Sequence, residues 1–390
     1  MSQDPFVLKW GLLGPGRIAT KFFSDLLYIN DPLRSSINNG LLKHELVAVA
    51  SNSNVKNADN FVKNLTKDHD DDSNSINTYG KYIDLINDEK IDIIYIATPN
   101  FNHFKLCYNC LKNGKNVLME KPFTINSKQT EILIEFAKSQ KLFLMEAMWT
   151  KFNPVFKELK NLIFNENILL LNDESKDNND KLLRIKADTS YLFDKNDPSM
   201  DRIYNLKLGG GVLLDVGIYS LTWLIEFMNN NDSVKILESL PKISSLSVKD
   251  ESSGVDISTN FILNYSNKDT RIVGIGSCSG YFDNITETDD YNTVIIEGES
   301  AVIKINDSCC PRNYRIEYRD SSKETVIKSI PFKGFGMYFE ADSIGEEIMK
   351  GNLQSSIHSL NDTLILARII DEIRLQNEIE FPKELESLDL

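Results

Sequence analysis

Val7-Leu8-Lys9-Trp10-Gly11-Leu12-Leu13-Gly14-Pro15-Gly16-Arg17-Ile18-Ala19 is the stretch whose reading decides the fold. A short, mostly apolar run ends in glycines. From Arg17 to Leu27 the apolar residues Ile18, Phe22, Leu26 and Leu27 then fall on one helical face. Strand, Gly-x-Gly-x-x-Ala turn and helix in that order give the glycines a mechanical meaning. Gly14 permits the tight turn, and Gly16 removes a side chain so that a pyrophosphate can approach the backbone. The helix start at Arg17 and Ile18 offers N–H groups and the positive end of a dipole, while Ala19 keeps helix and strand close.

The same alternation continues outward. Glu45–Ser51, Ile91–Ala97, Asn116–Leu118 running into Glu120, and Leu142–Ala147 read as strands. Asn57–Leu65, Phe101–Asn113 and Ser127–Gln140 read as helices, the last with Asn126 as N-cap. Apolar β-rich runs alternating with amphipathic helices predict a doubly wound parallel sheet covered on both faces. Ligands of such sheets bind at the C-terminal ends of the strands. Those ends carry Gly14 to Ala19, Ser51-Asn52, Thr98 to His103, and Glu120-Lys121-Pro122.

Beyond residue 184 the texture changes. Leu182–Tyr191, Val234–Val248, Ile257–Tyr265, Arg271–Ser279, Thr293–Ile305 and Tyr314–Ile330 read as strands with few intervening helices, which predicts a large, mainly antiparallel sheet. Gly217–Met228, Phe339–Lys350 and Leu360–Gln376 read as helices. The expected organisation is an N-terminal domain over 1–150 and an α+β domain over 151–390. The polar, acid-rich runs Asp68–Asn74 and Asn172–Lys181 read as solvated surface insertions, since neither has the glycine and spaced acids of a calcium loop.

Composition narrows the class. The 390 residues suffice for two domains, and 41% hydrophobic with 26% charged residues is the balance of a globular chain. A net charge of −14 argues against nucleic acid or an anionic membrane surface as partner. No run of about 18 or more apolar residues predicts a membrane span. The polar start Met1-Ser2-Gln3-Asp4-Pro5 lacks the pattern of a secretory signal. The five cysteines include Cys107-x-x-Cys110 in a helical run, without a second pair or a histidine cluster, so buried reduced thiols are expected rather than a metal site. A cytoplasmic location follows from these readings.

Two segments carry the candidate chemistry. Lys121 ends a buried strand, and Pro122, with fixed φ and no N–H, stops that strand abruptly. An ammonium group at this edge can hydrogen-bond a substrate hydroxyl and stabilise a developing oxyanion. Gly209-Gly210-Gly211-Val212-Leu213-Leu214-Asp215-Val216-Gly217-Ile218-Tyr219 marks a close backbone approach, with Asp215 and Tyr219 one helical turn apart. A phenol beside a lysine can shuttle an alcohol proton. The second strand ends in Ser51-Asn52-Ser53 with Lys56 nearby, not in an acid. Hydroxyls, an amide and a cation there favour NADP, whose 2′-phosphate an acid would repel, and NAD stays open because no arginine is present.

Together these residues resemble the glucose–fructose oxidoreductase and inositol dehydrogenase (Gfo/Idh/MocA) family. The resemblance rests on Gly14 to Ala19, Ala97-Thr98-Pro99-Asn100 with His103, Glu120-Lys121-Pro122 and Asp215-x-Gly217-x-Tyr219. Phe143 to Phe152, Gly210 to Tyr219 and Gly336 to Ala341 resemble the branch of dimeric dihydrodiol dehydrogenase and NADP-dependent D-xylose dehydrogenase. The resemblance implies a Rossmann domain, a second domain for substrate binding and homodimerisation through its sheet, and dehydrogenation of a cyclic sugar or diol. It implies Lys121 and Tyr219 as catalytic residues supported by Asp215. Trp149 and Phe152 would line the substrate pocket with Asp215 and Tyr219, and Ala97 to Asn100, His103 and Glu120 would join the glycine turn around the cofactor. The inserts at Asp31–Gly40, Thr66–Ile76 and Asn172–Lys181 are expected to be peripheral. D-xylose oxidation to the lactone is the favoured expectation, with trans-dihydrodiol oxidation and a non-catalytic NADP-binding sugar sensor as alternatives.

Overall fold

Strands β1 (Phe6–Leu13), β2 (Leu42–Ala50), β3 (Asn77–Tyr79), β4 (Ile93–Ile96), β5 (Asn116–Glu120) and β6 (Leu144–Ala147) form one sheet in the order β3-β2-β1-β4-β5-β6. Every pairing in it is parallel. The order reverses between β1 and β4, the switch point at which doubly wound sheets hold their ligands. Their interiors are apolar because helices cover the sheet: Leu8, Trp10, Ile93, Ile94, Val117, Leu118 and Leu144 are all fully buried. The computed structural model describes residues 4–28, 30–67, 75–169, 182–228, 237–266, 271–283 and 292–390. The acid-rich runs 68–74 and 172–181 lie outside them.

The helices follow from local signals. Helix α1 (Arg17–Leu26) starts directly after Gly16; α2 is the single turn Ser35–Asn38, and Asn54 caps α3 (Val55–Thr66) by accepting from the Lys56 N–H. The short β3 and α4 (Tyr82–Ile86) were not expected. Helix α5 (His103–Lys112) buries Cys107 and Cys110 as free thiols, and burial pushes both pKa values up. Asn126 caps α6 (Ser127–Gln140) through the Gln129 N–H.

The chain divides into two compact units, one comprising Met1–Phe152, Phe332–Thr363 and Leu388–Leu390, the other Asn153–Pro331 and Leu364–Ser387. The first break lies beside the expected residue 150, and the segment Phe332–Thr363 groups with the first unit. Its anchors are specific. The Asp25 carboxylate accepts from the N–H groups of Phe335 and Met337, and Asp31 accepts from the Tyr338 hydroxyl and the Lys333 N–H. Arg34, fully buried, makes a two-point pair with Asp342 at 2.9 and 2.7 Å. The Trp10 indole N–H donates to His44 Nδ1, so His44 Nε2 carries the proton that it donates to Asp342. The Asp31–Gly40 insertion, expected to be peripheral, thus supplies two buried charged anchors; it has no periodicity that could have revealed this.

The second unit holds an eight-stranded sheet in the order β14-β13-β12-β11-β7-β10-β9-β8. Its members are β7 (Leu182–Ser190), β8 (Lys242–Lys249), β9 (Asp256–Ser266), β10 (Arg271–Ser279), β11 (Val294–Glu297), β12 (Ala301–Ile305), β13 (Asn313–Tyr318) and β14 (Val326–Ser329). Only β7 and β10 pair in parallel. Two expected long strands are hairpins instead: β11 and β12 turn at Gly298, and β13 and β14 pair across Arg319–Glu324. The expected strand Val234–Val248 begins at Lys242, and residues 237–238 are helical.

After α7 (Pro154–Lys160), helix α8 (Ile218–Met228) packs on β7 and β10. Among the described residues one helical stretch, Leu206–Met228, is long and apolar enough to cross a membrane, and its 94% burial makes it a core element.

Burial alone would raise Asp342, but hydrogen bonds from His44 and Arg34 and the Arg34 charge hold its carboxyl below the ordinary range. A depressed folded pKa gives a contribution that is present above the ordinary carboxylate range and lost as pH falls through the folded value. Asp342→Ala should therefore cost about 3–5 kcal/mol at neutral pH, and the difference from wild type should shrink on acidification. Urea unfolding at several pH values measures this, and a negligible cost at neutral pH would contradict the anchoring role.

Candidate active site

Gly14 and Gly16 do different work. Gly14 sits at φ +90°, and a Cβ there would come within 2.8 Å of the Ala97 carbonyl oxygen, so the packing of the turn on the end of β4 requires glycine. Gly16 has an ordinary φ of −100°, and a Cβ built on it meets nothing within 4 Å. Protein packing therefore does not explain Gly16, whereas a phosphate approaching the backbone does. Gly16 is also the N-cap of α1 and supplies no capping side chain, which leaves the first-turn N–H groups facing the approach.

The turn opens into a cavity of about 830 Å³, within the range of cofactor sites. Pro15, Ser51, Ser53, Asn57, Thr98 and Pro99 are among its lining residues, and no acid is among the described ones. The Ser51 and Ser53 hydroxyls lie 3.0 Å apart, and the Asn57 amide donates to Ser53. The Thr98 hydroxyl is buried without a hydrogen-bond partner among the described residues. These groups fit a dinucleotide: open backbone for phosphates, and small polar groups where an adenosine ribose would end.

Of the other expected cofactor residues, Ala97 lines the cavity as well. Arg17 is exposed and Ile18 half-buried on the first turn of α1. Asn52 accepts from the Tyr82 N–H, and Lys56 is exposed on α3. The cation in the described lining is Lys67. Asn100 opens a short 3₁₀ turn ahead of α5. His103 is fully buried, with Nε2 2.8 Å from the Thr98 carbonyl and Nδ1 2.9 Å from the Pro122 carbonyl, so a neutral ring donates to one of the two carbonyls and lies against the other. Burial pushes the His103 pKa down against the pull of those carbonyls.

Lys121 is half-buried at the end of β5. Its neighbours are held one by one. The Glu120 carboxylate accepts from the Tyr95 hydroxyl, the Pro122 carbonyl faces His103, and the Phe123 N–H donates to Glu146 at 3.0 Å. Glu340, fully buried, has no hydrogen-bond partner on either oxygen among the described residues. Burial, reinforced by the Glu120 charge, pushes its pKa well above the carboxylate range. Trp149 and Phe152 are buried in the 3₁₀ turn that follows β6. Sequence reasoning missed Tyr95, Glu146 and Glu340, whose alternation with apolar neighbours looks like ordinary strand or helix text.

In the second unit the glycine run has a packing cause. A Cβ on Gly210 would lie 2.5 Å from the Ile203 carbonyl oxygen, and one on Gly211, at φ +115°, would meet Asp256 at 2.0 Å. Asp256 accepts from the Leu213 N–H and so starts the wide turn Leu213–Gly217 that carries Asp215. Burial pushes Asp256 up to about 6. Asp215 is buried and receives two hydrogen bonds from Arg202, at 2.7 and 3.2 Å. Tyr219 follows on the first turn of α8, also buried. Arg202 was not expected, because nothing in its spacing from Asp215 follows a helical or strand period.

A family model described as an oxidoreductase family with an NAD-binding Rossmann fold, Gfo/Idh/MocA, matches residues 8–148. D-xylose 1-dehydrogenase (NADP(+)) of Hypocrea jecorina is 31% identical over 98% of this chain and 95% of that protein. Trans-1,2-dihydrobenzene-1,2-diol dehydrogenase of Xenopus laevis is 28% identical over 96% and 99%. Among solved structures, an aldose-aldose oxidoreductase from Caulobacter crescentus aligns with a TM-score of 0.70 at 18% identity over 96% of this chain and 98% of that one. The chain belongs to the Gfo/Idh/MocA oxidoreductase family. It is a dehydrogenase that uses a nicotinamide dinucleotide.

The glycine geometry separates two effects that one motif usually confounds. Gly16→Val should weaken dinucleotide binding at least about tenfold, by blocking backbone approach. It should cost about 1 kcal/mol or less in stability, as an exposed N-cap change. Titration with NADP⁺ and NAD⁺ beside thermal unfolding checks both, and unchanged affinity would show that phosphates do not approach here.

Proposed function

We propose that the protein oxidises the C1 hydroxyl of a cyclic sugar, with D-xylose favoured, to the lactone, using NADP⁺ as hydride acceptor. The observation that carries this reading is the end-to-end similarity to an NADP-dependent D-xylose 1-dehydrogenase in a chain that has Lys121, Asp215 and Tyr219. The absence of an acid after β2, with Ser51 and Ser53 lining the cavity in its place, supports NADP over NAD.

When bound, the nicotinamide accepts the hydride at its C4 carbon. The remaining work belongs to side chains. Tyr219 takes the hydroxyl proton as the C–H bond breaks, and Lys121 steadies the oxyanion through a hydrogen bond that strengthens as charge develops. Asp215, held by two hydrogen bonds from Arg202, supports Tyr219 from the same helical segment. Oxidation of a trans-dihydrodiol is the second reading, favoured by the 28% identity to such an enzyme over 96% of the chain. Both substrates present a hydroxyl on a carbon that carries a transferable hydride.

Lys121→Met should lower kcat by about 100-fold or more while leaving NADP⁺ affinity within a few fold. Steady-state assays with D-xylose and with a trans-dihydrodiol, beside cofactor titration, measure this and decide between the substrates. Wild-type turnover in the variant would sink the mechanism.

The proposal includes a cytoplasmic homodimer. The buried thiols of Cys107, Cys110 and Cys278 suit a reducing compartment, which cell fractionation tests. Leu246, Val248, Ile262 and Ile275 are exposed on one face of β8–β10, among serines and Asn260, a face that a second copy can cover. Ile262→Asp should shift sedimentation from dimer to monomer, and a dimer that persists would place the interface elsewhere.

A further inference from the structure

The peptide unit joining Pro122 to Phe123 comes directly after Lys121 and is gripped at both ends. Its C=O faces His103 Nδ1 at 2.9 Å, and its N–H donates to Glu146 Oε1 at 3.0 Å. Both gripping side chains are buried, and each is itself held. The other His103 nitrogen lies 2.8 Å from the Thr98 carbonyl oxygen. Glu146 meets His358 Nε2 at 3.1 Å through its second oxygen, and Thr363 lies 3.2 Å from the same nitrogen. His358 Nδ1 has no partner among the described residues, so a proton on Nε2 leaves no buried N–H unpaired.

We propose that Glu146 is a positioning residue for Lys121: its carboxylate holds the N–H edge of the Pro122–Phe123 peptide plane, whose C=O faces His103, and so fixes the turn that carries the lysine. The proposal rests on Lys121 being the catalytic lysine. Its physical basis is rotational. With the His103 proton on Nδ1, the plane is held at its C=O by the imidazole and at its N–H by Glu146, and it cannot turn without breaking one of those hydrogen bonds. Pro122 adds a fixed φ, so rotation is not passed to the proline either. The Lys121 side chain thus starts from a backbone position set by buried groups. His358 restrains the carboxylate further through a hydrogen bond to its second oxygen.

A merely structural buried acid would affect stability alone, so the test separates geometry from folding. Glu146→Ala should lower kcat about 100-fold, the scale of an ångström-sized misplacement. KM and NADP⁺ affinity should stay within about threefold, since the substrate and dinucleotide contacts are untouched. Glu146→Gln retains an oxygen for the Phe123 N–H and should restore kcat to within about tenfold of wild type. If Glu146→Ala fails to fold, Glu146→Asp takes its place, since its carboxylate falls one methylene short of Phe123 and the same drop in kcat is expected. Wild-type kcat in the Ala or Asp variant would overturn the proposal, as would a Gln variant no better than Ala. Lys121→Met is assayed alongside: full turnover there removes the premise, whereas an inactive Lys121→Met beside a fully active Glu146→Ala refutes only the positioning role.

Discussion

Parallel pairing directs the strands of the six-stranded sheet toward one edge, and the cofactor chemistry of the first unit depends on that constraint. Parallel strands cannot be joined by tight hairpins, so the chain must leave each strand at the same edge and return through a helix. The glycine turn after β1, Ser51 after β2, Thr98 after β4 and Lys121 after β5 become neighbours at that edge although they are far apart in sequence. Inversion of the strand order between β1 and β4 opens the crevice there. The apolar strands that make this sheet cohere thus also decide where a phosphate can lie.

Coherence of the sheet is not enough to aim a side chain. Loops at a sheet edge are mobile unless their polar backbone groups are claimed, and here they are claimed by residues with no access to water. A hydrogen bond to a buried charged acceptor is worth about 1.5–3 kcal/mol, roughly twice a neutral one, so Glu146 is an effective restraint on the Phe123 N–H. The same economy governs the second unit, where Asp256 starts the wide turn and Arg202 holds the carboxylate of Asp215.

Much of this was legible in the residues. Apolar runs and period-3.6 patterns located the long helices of the first unit and its strands other than the short β3, because burial on a sheet leaves a strong apolar trace; Ser127–Gln140 was among the helices so read. Hairpins were harder. Gly298-Glu299-Ser300 interrupts the run from Thr293 to Ile305 so briefly that two strands looked like one. Lys121, Asp215 and Tyr219 stood out because short motifs surround them. Glu146, Arg202 and Asp342 did not, since each acts through a partner distant in sequence and a carboxylate in an apolar strand carries no mark of what it will bond. Arg34 is the sharpest case: it sits in polar, loop-like text, yet it is fully buried in a two-point pair 308 residues away.

That pair has a consequence for how the protein is made. The first unit draws on Phe332–Thr363 as well as Met1–Phe152, and the second draws on Leu364–Ser387 as well as Asn153–Pro331. On the ribosome, Asp25, Asp31 and Arg34 emerge early, while their partners at Phe335, Tyr338 and Asp342 are translated only after the whole stretch Asn153–Pro331. Until then the three charged groups lack these long-range partners, although Asp31 accepts from the Leu33 N–H and Arg34 donates to the Leu26 carbonyl. The N-terminal sheet therefore gains its long-range anchors only after the chain has passed Pro331. Its last covering helix arrives almost together with the helix that completes the other unit, so the two folding problems are closed by adjacent stretches of the same late-translated chain.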